Sequence, residues 1–283
     1  MINRVTTTLL LVVGVSILPC NAHAVPLVRS IGGSNPASIQ ATVDQFRADL
    51  GVLNPNVAGS FAGGRREINW DGVPDAFAAP NNLPPDFFNV NSPRGVVFTT
   101  PGTGFQVSAN AIVGAIEFGN INPNYPALFA TFSPQRLFAS LDSNIVDVLF
   151  FEPGGLTLGL TNGFGAVFTD VDLANTTGIQ YFDTYNNLLF SDFVKPGTVG
   201  NESLSFLGVS FTEGAVVARV RITNGNSPLG PVVNEGANID LVVMDDFIYG
   251  EPIAVRPVSE PWTLLLVGLG LLGMGIQKRP RTL

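Results

Sequence analysis

Apolar residues along this chain fall into two rhythms. In one segment they recur every third or fourth position; elsewhere they come in short runs broken by Gly, Pro, Asn and Asp. The first rhythm is confined to residues 34–51, "SNPASIQATVDQFRADLG", where Ile39, Val43, Phe46 and Leu50 fall on one face and predict a helix. Asn35 is placed to cap it, Pro36 suits its first turn and Gly51 its end. Such a helix would pack against a sheet edge or face. Residues 63–95 are rich in Pro, Asn and Gly and read as mostly loop. A loop that long is expected to be functional or tied down by a ligand.

From Gly95 onward the second rhythm predicts strands near 95–100, 104–108, 112–118, 136–141, 144–151, 164–172, 178–183, 187–193, 204–211, 215–223 and 239–249. "TPGTG" joins the first two, and "DTYNN" and "FTEGA" read as hairpin turns. "AVVARVRI" alternates, with Arg219 and Arg221 on the outward face. Regular short strands without intervening helices predict an all-β fold, a two-sheet, jelly-roll-like β-sandwich with one N-terminal helix. An immunoglobulin-like sandwich, with fewer strands, is the alternative.

Both ends depart from this body. Arg4, the apolar run Leu9–Leu18 and the small-residue site Asn21–Ala24 form a secretory signal peptide with cleavage after Ala24. The predicted organisation is 1–24 signal peptide, 25–94 helix and long loop packed on the β domain, 95–252 β-sandwich, and 253–283 tail. Cleavage removes Cys20 and His23, the chain's one Cys and one His. The mature chain then lacks disulfides, thiolate or imidazole metal sites, Cys nucleophiles and Ser-His-Asp triads. In the tail, Trp262–Ile276 is an uncharged run of 15 residues followed by Lys278, Arg279 and Arg281. As a helix it rises about 22 Å, against a hydrocarbon core of about 30 Å. It predicts a short C-terminal transmembrane helix that spans with local thinning, its basic end in the cytoplasm.

The order of Glu260-Pro261, a glycine-rich apolar run and a basic end resembles the PEP-CTERM sorting signal of secreted proteins from exopolysaccharide-making Gram-negative bacteria. Ser259 stands where that family usually has Pro. The resemblance implies processing by an exosortase, a transient membrane anchor, and delivery to the outer envelope or extracellular matrix. The body resembles other proteins with this tail through "GRREINWDGVPD", "TTPGTGFQVSA" and "VVMDDFIYGEP". That resemblance implies a secreted domain and no particular activity. "DDF" in an apolar closing strand is also similar to the last strand of jelly-roll carbohydrate-binding modules, where an Asp commonly helps hold a structural calcium.

Charge narrows the partners. Residues 25–259 carry 10 Lys and Arg against 21 Asp and Glu, a net charge of −11. Such a surface repels nucleic acid and suits cations, calcium in particular. Asp71 and Asp75 in "WDGVPD" flank a glycine turn that would serve calcium or cap itself. Asp245 and Asp246 point to opposite faces of a strand, so one must be compensated by calcium, by Arg65 or Arg66, or by a hydrogen-bond cluster. Asp170 and Asp172 in "TDVD", with Glu117 or Glu152, could serve glycoside hydrolysis; a solvated strand end is the plainer reading. Trp70 in the long loop and Tyr185 at a hairpin tip are the rings that could face a glycan. Together these predict a non-catalytic matrix protein, calcium-stabilised and polysaccharide-binding. The alternatives are a carboxylate-dependent polysaccharide-acting enzyme and a purely structural or adhesive envelope protein.

Overall fold

The computed structural model describes residues 25–255. The expected signal peptide, with its cleavage site at Ala24, lies outside the described residues, as does the expected sorting tail from residue 256 on, with Glu260 and Pro261; its first residues, 253–255, are described, and Ile253–Ala254 form a short strand. Among those described, no helix is long and apolar enough to cross a membrane.

The chain is mostly β. In order it forms β1 (Pro26–Gly33), α1 (Pro36–Leu50), β2 (Arg65–Ile68), α2 (Phe87–Val90), β3 (Val96–Thr99), β4 (Gly104–Val107), β5 (Phe138–Leu141), β6 (Ile145–Phe150), β7 (Gly159–Leu160), β8 (Gly163–Thr169), β9 (Gly178–Phe182), β10 (Leu188–Phe193), β11 (Leu204–Phe211), β12 (Arg219–Thr223), β13 (Val243–Gly250) and β14 (Ile253–Ala254). One antiparallel sheet runs β1-β11-β8-β13-β5-β4, with β2 also on β13; the second runs β10-β9-β12-β6-β3. β7 and β14 pair separately.

The two sheets enclose one apolar core. Phe164, Phe168, Phe247 and Tyr249 from the seven-stranded sheet meet Val148, Phe150, Tyr181 and Ile222 from the five-stranded one. The seven-stranded sheet is covered on its outer side as well. Ile39, Val43, Phe46 and Leu50 of α1 pack on Val167, Leu204, Phe206 and Ile248. Phe118, Tyr125 and Phe129 cover Leu137, Ala139 and Val243 farther along. Among the described residues, the outer face of the five-stranded sheet has no such layer: Gly178, Gln180 and Phe182 of β9 are partly exposed, and Phe193 of β10 is open.

Helix α1 forms as its sequence predicts. The Asn35 side chain accepts from the Ser38 amide, Ser38 Oγ accepts from the Asn35 amide, Pro36 opens the helix and Gly51 closes it at φ 96°. It approaches the sheet closely because Gly165 and Gly208, paired across β8 and β11, leave the Phe46 ring room to lie on bare backbone.

Several strand expectations need correction. Residues 112–118 form turns, because the Asn110 side chain accepts from the Ile112 and Val113 amides and curls the chain. "FTEGA" is a crossing between sheets rather than a hairpin, since β11 pairs with β1 and β8 whereas β12 pairs with β6 and β9. Strands β1 and β2 lie where the sequence pattern predicts no strand; β1 is an integral edge of the larger sheet.

Candidate functional site

Two features of the described residues carry chemistry. The first is the open face of the five-stranded sheet. Thr99, Asp147, Arg221, Gln180 and Ser191 form one cross-strand row; Val97, Leu149, Arg219, Phe182 and Leu188 form the next. Asp147 fixes both arginines. Its Oδ1 accepts from Arg219 Nη1 at 2.6 Å and Arg221 Nε at 2.9 Å, and its Oδ2 from Arg221 Nη2 at 2.7 Å. The Arg219 guanidinium lies 3.9 Å above the Phe182 ring and also donates to Asn186. Held this way, both guanidinia are pre-oriented at little entropic cost on binding. A groove beside them is lined by Gly178, Gln180, Ser191, Asp192, Phe193 and Thr223.

Tyr185 stands at one end of this face, 85% exposed. Its hairpin is held by Asp183, whose Oδ1 accepts from the Tyr185 and Asn187 amides at 2.8 Å each. The outward setting of Arg219 and Arg221 agrees with the alternation of β12.

The second feature is a buried acidic cluster between the β8–β9 and β12–β13 connections. Asp170, just past β8, has no solvent exposure, and neither carboxyl oxygen finds a hydrogen-bond donor. Glu235, Asp172 and Asp240 face it. Burial first, then the charges of Glu235, Asp172 and Asp240, push Asp170 up to about 9. Burial is also the largest cause that takes Glu235 to about 7. Asp240 is supplied by protein donors: the Asp172 amide at 2.9 Å, the Leu173 amide and the Thr176 hydroxyl. Among the described residues none of the four acids has an Arg or Lys partner. Nor, among the described residues, does any group of three or more Asp, Glu, His or Cys side chains stand where it could hold a metal ion. Burial of Asp170 corrects the solvated strand end that is the plainer expectation from "TDVD". Glu235 and Asp240 were missed, for they sit in a Pro- and Gly-rich connection with no period to mark them.

The other sequence-named residues are met by protein groups. Trp70 is 1% exposed, stacked on Phe138 at 4.1 Å and 3°, and donates Nε1–H to the Asp245 carbonyl at 2.8 Å. It is a core residue, which corrects its assignment as a glycan-facing ring. Asp71 accepts from the Gln135 amide at 2.6 Å and the Arg136 amide at 3.1 Å, and Asp75 pairs with the Arg136 guanidinium. Asp245 accepts from the Phe132 and Ser133 amides; Asp246 accepts from the Ser133 hydroxyl at 2.6 Å and Arg47 at 3.2 Å. Burial and then the neighbouring Asp246 charge push Asp245 up, against the pull of those amides. The arginine beside Asp246 is therefore Arg47. Arg66 is committed to Glu251, and Arg65 to Glu67. Glu117, pushed up to about 7 by burial and next by Glu202, is separate from the Asp170 cluster.

No family model matches the chain, and no curated protein matches it. Among solved structures, the chain is similar to a glycoside hydrolase family 43 arabinoxylan arabinofuranohydrolase from Bacillus subtilis, crystallised with cellotetraose. The identity is 12%, with 45% of this chain and 24% of that chain covered and a TM-score of 0.25. A similarity of that size carries no argument about fold or activity.

Proposed function

We propose that this chain is a secreted, surface-sorted matrix protein whose jelly-roll β-sandwich binds exopolysaccharide without cleaving it. The strand order supports the jelly roll. Eight successive strands, from β5 to β13 with the short β7 left aside, distribute as β5-β13-β8-β11 in one sheet and β6-β12-β9-β10 in the other. That is the interleaving two Greek keys produce when rolled together.

The single observation that carries the binding reading is the open face of the five-stranded sheet. A sugar offers apolar C–H faces and a rim of hydroxyls. Tyr185 and Phe193 supply ring planes for the first; Gln180, Ser191 and the Asp147-fixed guanidinia supply polar partners for the second. The sorting-tail resemblance gives the address: passage through the inner membrane, a transient anchor, an exosortase as processing partner, and the envelope or matrix as destination. The hydrolase alternative finds less support. Retaining and inverting glycosidases need their carboxyls about 5 Å or more apart, with sugar between them. Asp170, one of the acids the sequence offers for that role, is sealed from solvent.

Co-sedimentation of the purified full chain with the producing organism's exopolysaccharide tests this. The expected result is pelleting with no release of reducing ends. Tyr185→Ala should weaken binding by about three- to tenfold, the size of one aromatic contact. No pelleting, or pelleting untouched by both Tyr185→Ala and Phe193→Ala, would refute the assignment.

A further inference from the structure

We infer that the cleft between the 72–77 segment and α2 is a binding site for a small cyclic carboxylate, with Arg94 as the group that receives its charge. The cleft holds about 330 Å³. It shares no residue with the open sheet face or the groove beside it.

Arg94 is the observation that calls for an anion. Every other arginine among the described residues lies against a carboxylate; Arg94 has none. Its Nε is buried and meets no acceptor. Its backbone is fixed on both sides: the Arg94 amide donates to the Phe88 carbonyl at 2.8 Å, and its carbonyl accepts from the Tyr249 hydroxyl at 3.1 Å. The guanidinium carbon lies 4.9 Å from the centre of the Phe88 ring. Burial, and to a lesser degree the Arg66 charge, hold Arg94 below the ordinary arginine value. Glu251 balances Arg66. A bound anion would balance Arg94 in the same way.

The walls select the body of the ligand. Val73, Phe77, Phe87 and Phe88 make them largely apolar, and Asn91 adds a polar group. Phe77 packs on Phe87 at 5.3 Å and Phe87 on Phe88 at 5.1 Å, so much of this surface is aromatic. The 72–77 segment is held from outside the cleft. Asp71 accepts from the Gln135 and Arg136 amides, and Asp75 pairs with the Arg136 guanidinium. The site is therefore largely formed before a ligand arrives, as small-molecule sites usually are. Its volume stands at the low end of such sites, roughly 300–1,000 Å³, which leaves room for about one ring. One guanidinium matches one carboxylate, which it can meet with two N–H bonds. Arg94 is the one cation among the described residues that line the cleft, too little charge for a phosphate dianion. An acidic sugar and an aromatic acid share the chemistry that fits: a carboxylate on a ring whose face can lie on phenyl groups.

Calorimetric titration of the full chain with glucuronate and with benzoate, beside the neutral counterparts glucose and benzamide, tests the site. Wild type should bind one of the acids at least about tenfold more tightly than its neutral counterpart, the size of a hydrogen bond to a charged group. Preference for glucuronate would make the ligand an acidic sugar; preference for benzoate would make it an aromatic acid. Arg94→Gln should bring the preferred acid down to the affinity of its neutral counterpart. Without ligand, that variant should melt no lower than wild type, because it removes an unpaired and partly buried cation. An arginine with a merely structural role would leave the variant less stable. The acid-against-neutral comparison in wild type needs no variant. Neither acid bound by wild type, acid and neutral counterpart bound equally, binding unchanged in Arg94→Gln, or a variant that melts well below wild type would each overturn the assignment.

Discussion

Replacing Asp170 by Asn exchanges one carboxyl oxygen for a donor in a place where three acids face it. The pH consequence has a definite sign. Asp170 and Glu235 are raised to about 9 and about 7 in the folded chain, mainly by burial and then by each other's neighbours. Unfolded carboxyls titrate near 4. Between those values the folded state holds protons that the unfolded state has released, so stability falls as pH rises. These two groups should therefore lower the melting temperature of wild type as pH rises from about 4 to about 9. Asp170→Asn should flatten its share of that decline, while Glu117 and the Asp245–Asp246 pair keep theirs. A profile identical in the variant would mean that the cluster is not charged as described. The two rings named from sequence separate just as sharply. Trp70→Ala opens a cavity among Phe88, Phe138 and Phe247 and should cost about 3–5 kcal/mol in denaturant unfolding. Tyr185→Ala, at an exposed tip, should leave stability within about 0.5 kcal/mol. The sequence made Tyr185 legible because "DTYNN" encodes a turn tip. Trp70 misled because its loop folds back into the core, and nothing local announces that.

Helix α1 and the sheet beneath it meet where Phe46 rests on Gly165 and Gly208. A Cβ at Gly208 would come within 2.9 Å of the Phe46 ring. Gly208→Val should accordingly lift the helix and cost about 1–3 kcal/mol by overpacking, read by chemical unfolding. Phe46→Ala in the Gly208→Val background should recover part of that loss if the clash is the cause. At this scale much was readable. The cap, the apolar face and the end of α1 all follow from local chemistry, and most strands from β3 to β13 fall near their expected positions. Where reading failed, the signal was weak. β1 is half-buried nearly throughout, without alternation, and β7 and β14 are two residues long. β8, β11 and β13 are buried at every position, so a period of two is invisible in them.

At the scale of the molecule, the long loop is tied down by protein. Arg66 on β2 is fully buried, donating to Glu251 at 2.6 and 2.8 Å and to the carbonyls of Pro55, Val57, Gly59 and Pro93. Glu251 also accepts from Asn54 and the Phe61 amide. One pair thus binds the 51–64 segment, β2 and the end of β13 together. Glu251→Gln strands a buried guanidinium and should cost about 3–5 kcal/mol, whereas an exposed carboxylate such as Asp44, in its surface pair with Arg47, should cost well under 1 kcal/mol. A sandwich was legible from the spacing of short strands. Which charges meet was not, because Arg66 and Glu251 are 185 residues apart and sequence carries no distance between segments. The same blindness hid the open face, which exists only because α1 and the 118–129 segment both cover the other sheet. That face is the centre of the functional account, and co-sedimentation of the full chain with native exopolysaccharide, wild type beside Tyr185→Ala, tests it most directly. Wild type should pellet with the polymer without degrading it, and the variant, equally stable, should pellet less. Equal pelleting of both, or none by either, would contradict it.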